Sequence, residues 1–279
     1  MIGGWMDHIE VNVRGLRFSV QRRGQGEPFV LLHGLASTRK MFALVAPLLE
    51  PEYTVIAPDQ RGHGESDKPA GGYDFESICA DLDGLAEALG IRTPFRLAGH
   101  SWGAYTALHY AATRPHAVSR LFLIDGGVAS IRDRFGATWE EAEAKMAPHS
   151  FDGVTRDMLE QFIRERWLGA AFRPELLPLA LSIFDTSNPA QVRAHLPREQ
   201  HLQIVRALWE YAPLADFTML RIPARAILAV QDTQRDPVNQ ASADAAQEAC
   251  PSLEVRWLND TIHDVPWQRP RELAALLRP

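Results

Sequence analysis

The sequence predicts an α/β fold: a mostly parallel, doubly wound sheet covered by helices, with an inserted helical cap. Three observations carry this. Short β-rich runs alternate with helical spacings through the first 128 residues. Helical patterns then follow one another from 129 to 215 without strands between them, and strand–helix alternation returns from 216 to the end. The implied units are a core of residues 1-128 and 216-279 and a cap of residues 129-215.

The run LRFSVQRR (16–23) alternates polar and apolar residues and leads into the turn RGQGEP, which predicts an antiparallel edge hairpin. PFVLLHG (28–34), YTVIAPD (53–59), FRLAGHS (95–101) and VSRLFLIDG (118–126) are more continuously apolar, as strands covered on both faces must be. Phe75, Ile78, Leu82, Leu85, Ala86 and Leu89 recur at three and four, which predicts a helix over 73–89. A second helix runs from Ser101 to Thr113, and Arg114-Pro115 ends it.

The insertion reads as TWEEAEAKMA, TRDMLEQFIRERWLG, PELLPLALSIF, NPAQVRAHL and QHLQIVRALWEY, all with helical spacing. The charges of EEAEAK and RDMLEQFIRER fit solvated outer faces. Strand ARAILAVQ, helix QASADAAQEAC, strand LEVRWL and a helix from Arg271 to Leu277 complete the sheet.

Composition narrows the function. The 279 residues are 46% hydrophobic and 23% charged, as in an ordinary globular protein. A formal charge of −6 and the absence of long basic blocks argue against a nucleic-acid partner. Two distant cysteines, Cys79 and Cys250, form no disulfide framework, and the ten histidines show no ligand spacing, so no metal is expected. The start MIGGWMDHIEV has no signal-peptide pattern, and no run approaches the ~18 apolar residues of a membrane span. The expectation is a cytoplasmic protein with no membrane partner.

RLAGHSWGAY (96–105) carries the chemistry. A strand ending near Ala98 must turn at once into a helix starting near Trp102, with Ser101 at the corner. Such a corner demands an unusual backbone and small neighbours, which Gly99, Gly103 and Ala104 supply. The strained bend lifts the serine oxygen to a helix N-terminus, where amide groups favour developing negative charge. The hydroxyl needs a base. His263, in LNDTIHDVPWQRP after the last strand, lies at the carboxyl end of the sheet, where ligands gather. His33 and His63 sit in glycine-rich loops suited to backbone bonding, and His109 falls within a helix. The imidazole in turn needs an acid. DTQRDPVNQ, just past ARAILAVQ, offers Asp232 and Asp236.

LLHGLAST (31–38), APDQRGHGESDKP (57–69), GHSWGA and IHDVPWQRP follow one another as in the α/β-hydrolase family, which the chain resembles over nearly its whole core. The resemblance implies the α/β-hydrolase fold with a helical cap and a triad in the order Ser…Asp…His. By the family's spacing Asp236 is the preferred acid, with Val238 at the apolar position, and Asp232 the alternative. Asp125, ending LFLID, is a more remote third. The family's glycine after the penultimate strand is missing, and Ile262 stands where glycine is common. The resemblance also places an oxyanion hole at the backbone N–H groups of Leu35 and Trp102. Asp59, Arg61 and His63 are expected to knit their loop together. Serine at the elbow argues against haloalkane dehalogenases and epoxide hydrolases, which place aspartate there.

The cap contributes Phe135, Trp139, Phe151, Phe162, Trp167, Phe172, Phe184 and Trp209. A closed, mainly apolar pocket beneath them is expected, suited to a small or medium hydrophobic ester. Hydrolysis through an acyl-enzyme, with no cofactor, is the leading expectation. Lactone or C–C bond cleavage are alternatives within the same machinery. A cofactor-independent oxygenase or a small-molecule receptor is the alternative of another class.

Overall fold

The computed structural model describes residues 8–91, 94–231 and 234–279. In chain order the first half contains β1 (Ile9–Val13), β2 (Leu16–Arg23), β3 (Glu27–Leu32), α1 (Ala46–Leu49), β4 (Tyr53–Pro58), α2 (Phe75–Ala88), β5 (Phe95–His100), α3 (Trp102–Thr113) and β6 (Val118–Ile124). The insertion contains α4 (Ile131–Phe135), α5 (Trp139–Met146), α6 (Arg156–Phe162), α7 (Leu177–Leu181), β7 (Phe184–Asp185), β8 (Arg193–Ala194) and α8 (Arg198–Glu210). Then come α9 (Pro213–Met219), β9 (Ala224–Val230), α10 (Pro237–Ala249), β10 (Leu253–Asn259), α11 (Val265–Gln268) and α12 (Pro270–Leu276).

Eight strands form one sheet in the order β1-β2-β4-β3-β5-β6-β9-β10, a mostly parallel α/β-hydrolase fold. From β4 to β10 every pair is parallel. β2 is antiparallel as expected, but it is no edge. It pairs with β1 on one side and β4 on the other, and the turn after it leads to β3 without pairing to it.

Alternation along each central strand sorts side chains into two cores. Phe29 and Leu31 of β3 face one side with Val55, Ala98, Phe122 and Ile227, closed by α1, α11 and α12. Val30 and Leu32 face the other with Ile56, Leu97, Leu121 and Ala226, beneath α2, α3 and α10. α2 begins where Asp74 Oδ1 accepts Ser77 N at 2.8 Å, and it buries Phe75, Ile78, Cys79, Leu82 and Leu85. Each fully buried large apolar side chain contributes roughly 1.5–3 kcal/mol.

The insertion is not wholly helical. β7 and β8 make a two-residue antiparallel ribbon, and Ile163–Trp167 continues α6 as a π-helix. Leu159, Ile163, Leu176 and Leu179 pack into the first core, while Ile131, Ile204 and Leu208 pack with Tyr73, Trp102 and Tyr105. Residues of this segment thus reach both the first core and the cluster around Trp102. α9 packs on α3 and α10, among the sheet's own helices.

Candidate active site

Ser101 stands between β5, all of whose residues are buried, and α3, with φ 53° and ψ −120°. An L-residue holds that conformation only where its surroundings enforce it. The enforcement is close packing. A Cβ on Gly99 would lie 2.0 Å from Gly103 O, and one on Gly103 would lie 2.3 Å from Leu32 O. Strand and helix therefore meet backbone to backbone, and the serine between them is turned out of the sheet. Its side chain makes no capping bond to the helix it precedes.

β6 lies beside β5, so Asp125, one residue beyond β6, comes next to Ser101; Ser101 N donates to Ile124 O at 2.9 Å. Gly126 permits the approach: a Cβ there would stand 2.5 Å from Ser101 O. Asp125 Oδ1 accepts Ala229 N from β9 at 2.9 Å, and Oδ2 accepts His263 Nδ1 at 2.6 Å. Burial would raise the carboxyl's pKa, but the hydrogen bond and charge of His263 and the Ala229 amide outweigh it and hold it below the usual range. Desolvation likewise pulls His263 down, yet the bond and charge of Asp125 leave its pKa raised above 6.5. With Nδ1–H committed to Asp125, Nε2 is the free basic nitrogen.

The loop carrying His263 is fixed by three further bonds. His100 Nε2 donates to His263 O at 2.9 Å, Ile262 N to Gln268 Oε1 at 2.7 Å, and Trp167 Nε1 to Asp264 Oδ2 at 2.6 Å.

The expectation for the acid is corrected. Asp236 does not reach His263; it is the exposed N-cap of α10, where Oδ1 accepts Asn239 N at 3.0 Å. Asp232 lies outside the described residues. The acid beside the imidazole comes from the strand adjoining the nucleophile strand, not from the loop after β9. Two signals pointed there: the Asp-Gly-Gly run closing VSRLFLIDGG, and the missing glycine after β9.

Leu35 and Trp102 flank Ser101 and line the same cavity. The neighbouring amide, Ala36 N, donates to His63 Nε2 at 3.1 Å, while His63 Nδ1 donates to Arg61 O at 2.9 Å. His33 works similarly: Nδ1 donates to Gly34 O, and Nε2 accepts Gln60 N at 3.0 Å. Both rings are neutral struts. Burial lowers His33 to about 4 and His63 well below 6.5. Asp59 pairs with Arg39, and Arg61 with Asp81 at 2.5 Å, so the DQRGHGES loop is held by buried ion pairs.

Two chambers meet at Ser101 and His263. The larger, about 670 Å³, also contains Leu35, Phe151, Trp167, Phe184 and Ile262. Lys145, Arg166, Asp264 and five histidines besides His263 also border it. The smaller, about 210 Å³, is bounded mainly by apolar groups, including Trp102, Val128, Ile131, Phe135 and Leu208, with Arg134 at its wall. Among the described residues no three His, Cys, Asp or Glu side chains gather as a metal site, and no helix is long and apolar enough to cross a membrane.

Residues 27–168, just over half of the chain, match the family model described as alpha/beta hydrolase fold. The chain is 36% identical over 118 residues to a soluble epoxide hydrolase of Corynebacterium sp. (strain C12), covering 42% of this chain and 41% of that protein. It is 36% identical over 122 residues to a 2-(acetamidomethylene)succinate hydrolase of Mesorhizobium japonicum, covering 43% and 44%. The matches thus span less than half the length of these curated relatives. Over the whole chain, the crystal structure of an E-2-(acetamidomethylene)succinate hydrolase superposes with a TM-score of 0.80 at 22% identity, covering 97% of both chains. The enol-lactonase from Burkholderia xenovorans LB400 gives 0.74 at 19%, covering 96% and 98%. At these identities the likeness is one of fold.

Proposed function

Since the chain belongs to the alpha/beta hydrolase fold family, we propose that it is a serine hydrolase that cleaves a carboxylic ester or a related acyl compound through an acyl-enzyme. The observation that carries this reading is the strained Ser101 corner facing the same cavity as His263, whose Nδ1 is bonded to Asp125.

Ser101 Oγ adds to the substrate carbonyl carbon as its proton passes to His263 Nε2. Asp125 keeps the imidazole in the required tautomer and stabilises the imidazolium. The carbonyl oxygen becomes an oxyanion against the amides of Leu35 and Trp102, each worth about 3 kcal/mol in the transition state. His263 then returns its proton to the departing oxygen. Water, deprotonated by the same nitrogen, releases the acid and regenerates the hydroxyl. The two chambers receive the two halves of the substrate, so the bond that breaks spans their junction.

The relatives named above include an epoxide hydrolase, a hydrolase of a succinate derivative and an enol-lactonase, so the bond type is the open variable. A serine rather than a carboxylate at position 101 favours attack on a carbonyl over opening of an epoxide. Turnover of short p-nitrophenyl esters and lactones by the wild type and Ser101→Ala tests the reading. Turnover by the wild type that disappears in the variant is expected; equal rates would refute it.

A further inference from the structure

The larger chamber holds two cations that the cap's own chemistry leaves unpaired. The charges of RDMLEQFIRER lie on its solvated side, where Arg156, Arg164 and Arg166 are all exposed, while Leu159 and Ile163 are buried. Arg156 pairs with Glu160 at 3.0 Å, and Arg164 lies over the Phe172 ring at 4.8 Å. Arg166 does neither. The π-helix at Ile163–Trp167 takes more residues per turn than an α-helix, which shifts the phase of the side chains, and Arg166 and Trp167 both border the chamber. On the opposite cap helix, Lys145 borders the same space. Among the described residues, neither cation has a carboxylate within ion-pair distance. The chamber's one carboxylate, Asp264, receives Trp167 Nε1 and braces the loop of His263. His63, His100, His195 and His201 are all pushed toward the neutral form, chiefly by burial, and add hydrogen-bonding capacity without fixed charge.

We infer that the substrate carries a carboxylate, which lies in the larger chamber against Arg166 and Lys145 while its acyl carbon meets Ser101. This deepens the serine-hydrolase reading and rests on it. Arg166 offers a planar fork matched to a carboxylate, and Lys145 a point charge. Lys145 and Arg166 against the single carboxylate of Asp264 leave one positive charge among these three groups, which suits a monoanion better than a dianion. The smaller chamber, bounded mainly by apolar groups and with Arg134 at its wall lying over the Phe135 ring, takes the uncharged half. Placing the charge remote from the reacting carbon also fixes which way round the substrate lies, and so which bond reaches the serine.

The test compares matched esters. Mono-p-nitrophenyl glutarate places a carboxylate on the acyl side, and 4-acetoxybenzoate places one on the leaving-group side. p-Nitrophenyl butyrate and methyl 4-acetoxybenzoate are their neutral counterparts. One anionic member should exceed its counterpart in kcat/KM by about tenfold or more, the scale of a charge-assisted bond. Arg166→Gln with Lys145→Gln should collapse that ratio toward one. Titration of glutarate into Ser101→Ala by calorimetry supplies a readout without chemistry: binding that the two Gln substitutions abolish is expected. Equal rates for anionic and neutral esters together with no glutarate binding would overturn the inference and leave the serine-hydrolase reading standing. Glutarate binding without turnover of any ester would overturn that reading instead. A preference that survives the double substitution would remove these two residues as its origin.

Discussion

His263 Nδ1 lies 2.6 Å from Asp125 Oδ2, and the other oxygen of that carboxylate is tied to β9 through Ala229 N at 2.9 Å. The acid is therefore held by the sheet itself and not by a loop. Asp125→Asn should lower kcat about 10³–10⁴-fold, because the amide cannot hold the imidazole in the tautomer the reaction needs. Asp236→Asn should leave kcat within a few fold, since asparagine caps a helix about as well as aspartate. Steady-state kinetics on one chromogenic ester checks both. Loss of activity in the second variant alone would return the acid to the loop after β9.

The rate should rise with pH as His263 loses its proton. Its pKa is raised, so the acid limb of kcat/KM should titrate above the ordinary imidazole value of 6.5. An acid limb near 5 would mean that the bond to Asp125 does not persist in the working enzyme.

Stability should respond to pH in a different window. His33 and His100 are lowered to about 4, mainly by burial, whereas the unfolded chain protonates them near 6.5. Between those values the unfolded state binds more protons, so stability falls as the pH drops from 6.5 toward 4. His263 acts in the opposite sense: its contribution is full below 6.5 and is lost as pH rises through its folded pKa. Asp125, with a lowered pKa, loses its contribution only as pH falls below the ordinary 3.8. Melting temperatures measured by circular dichroism should therefore decline from pH 6.5 to 4. A flat profile there would contradict the assignment of the buried rings as neutral struts.

Gly126 is where the acid loop touches the nucleophile. Gly126→Ala would force a methyl group to 2.5 Å from Ser101 O. Relief requires a backbone shift costing about 1–3 kcal/mol, roughly 2–10 °C in Tm. The shift separates Ser101 from Asp125, so kcat should fall by about tenfold or more, as sub-ångström misplacement of a reacting group does. A variant with wild-type Tm and kcat would show that the close approach is not needed.

Much of the site is legible in the sequence because its parts are local. The Ser101 corner follows from small residues at 99 and 103, and Asp59, Arg61 and His63 announce a bonded loop by their crowding between glycines. The acid is not legible in this way. Asp125 and Asp236 each follow a β-strand, and only strand order decides which lies near His263: β6 sits between β5 and β9, so a residue at its tip is central. Spacing along the chain carries no information about that neighbourhood. Lys145 and Arg166 were hidden for another reason. Both are exposed charged residues, Lys145 on α5 and Arg166 on the π-helix after α6, and nothing in their spacing shows that the two helices border one chamber. The two-residue ribbon of β7 and β8 is likewise too short for any alternation to mark it.

The central claim is that the hydroxyl at the strained corner becomes covalently acylated with His263 as its base. Intact-protein and peptide mass spectrometry after exposure to a fluorophosphonate measures this most directly. A single adduct on the peptide containing Ser101, absent in Ser101→Ala and strongly slowed in His263→Ala, is the result expected. An unmodified Ser101 in folded protein that hydrolyses esters, or an adduct formed at the same rate without His263, would contradict it.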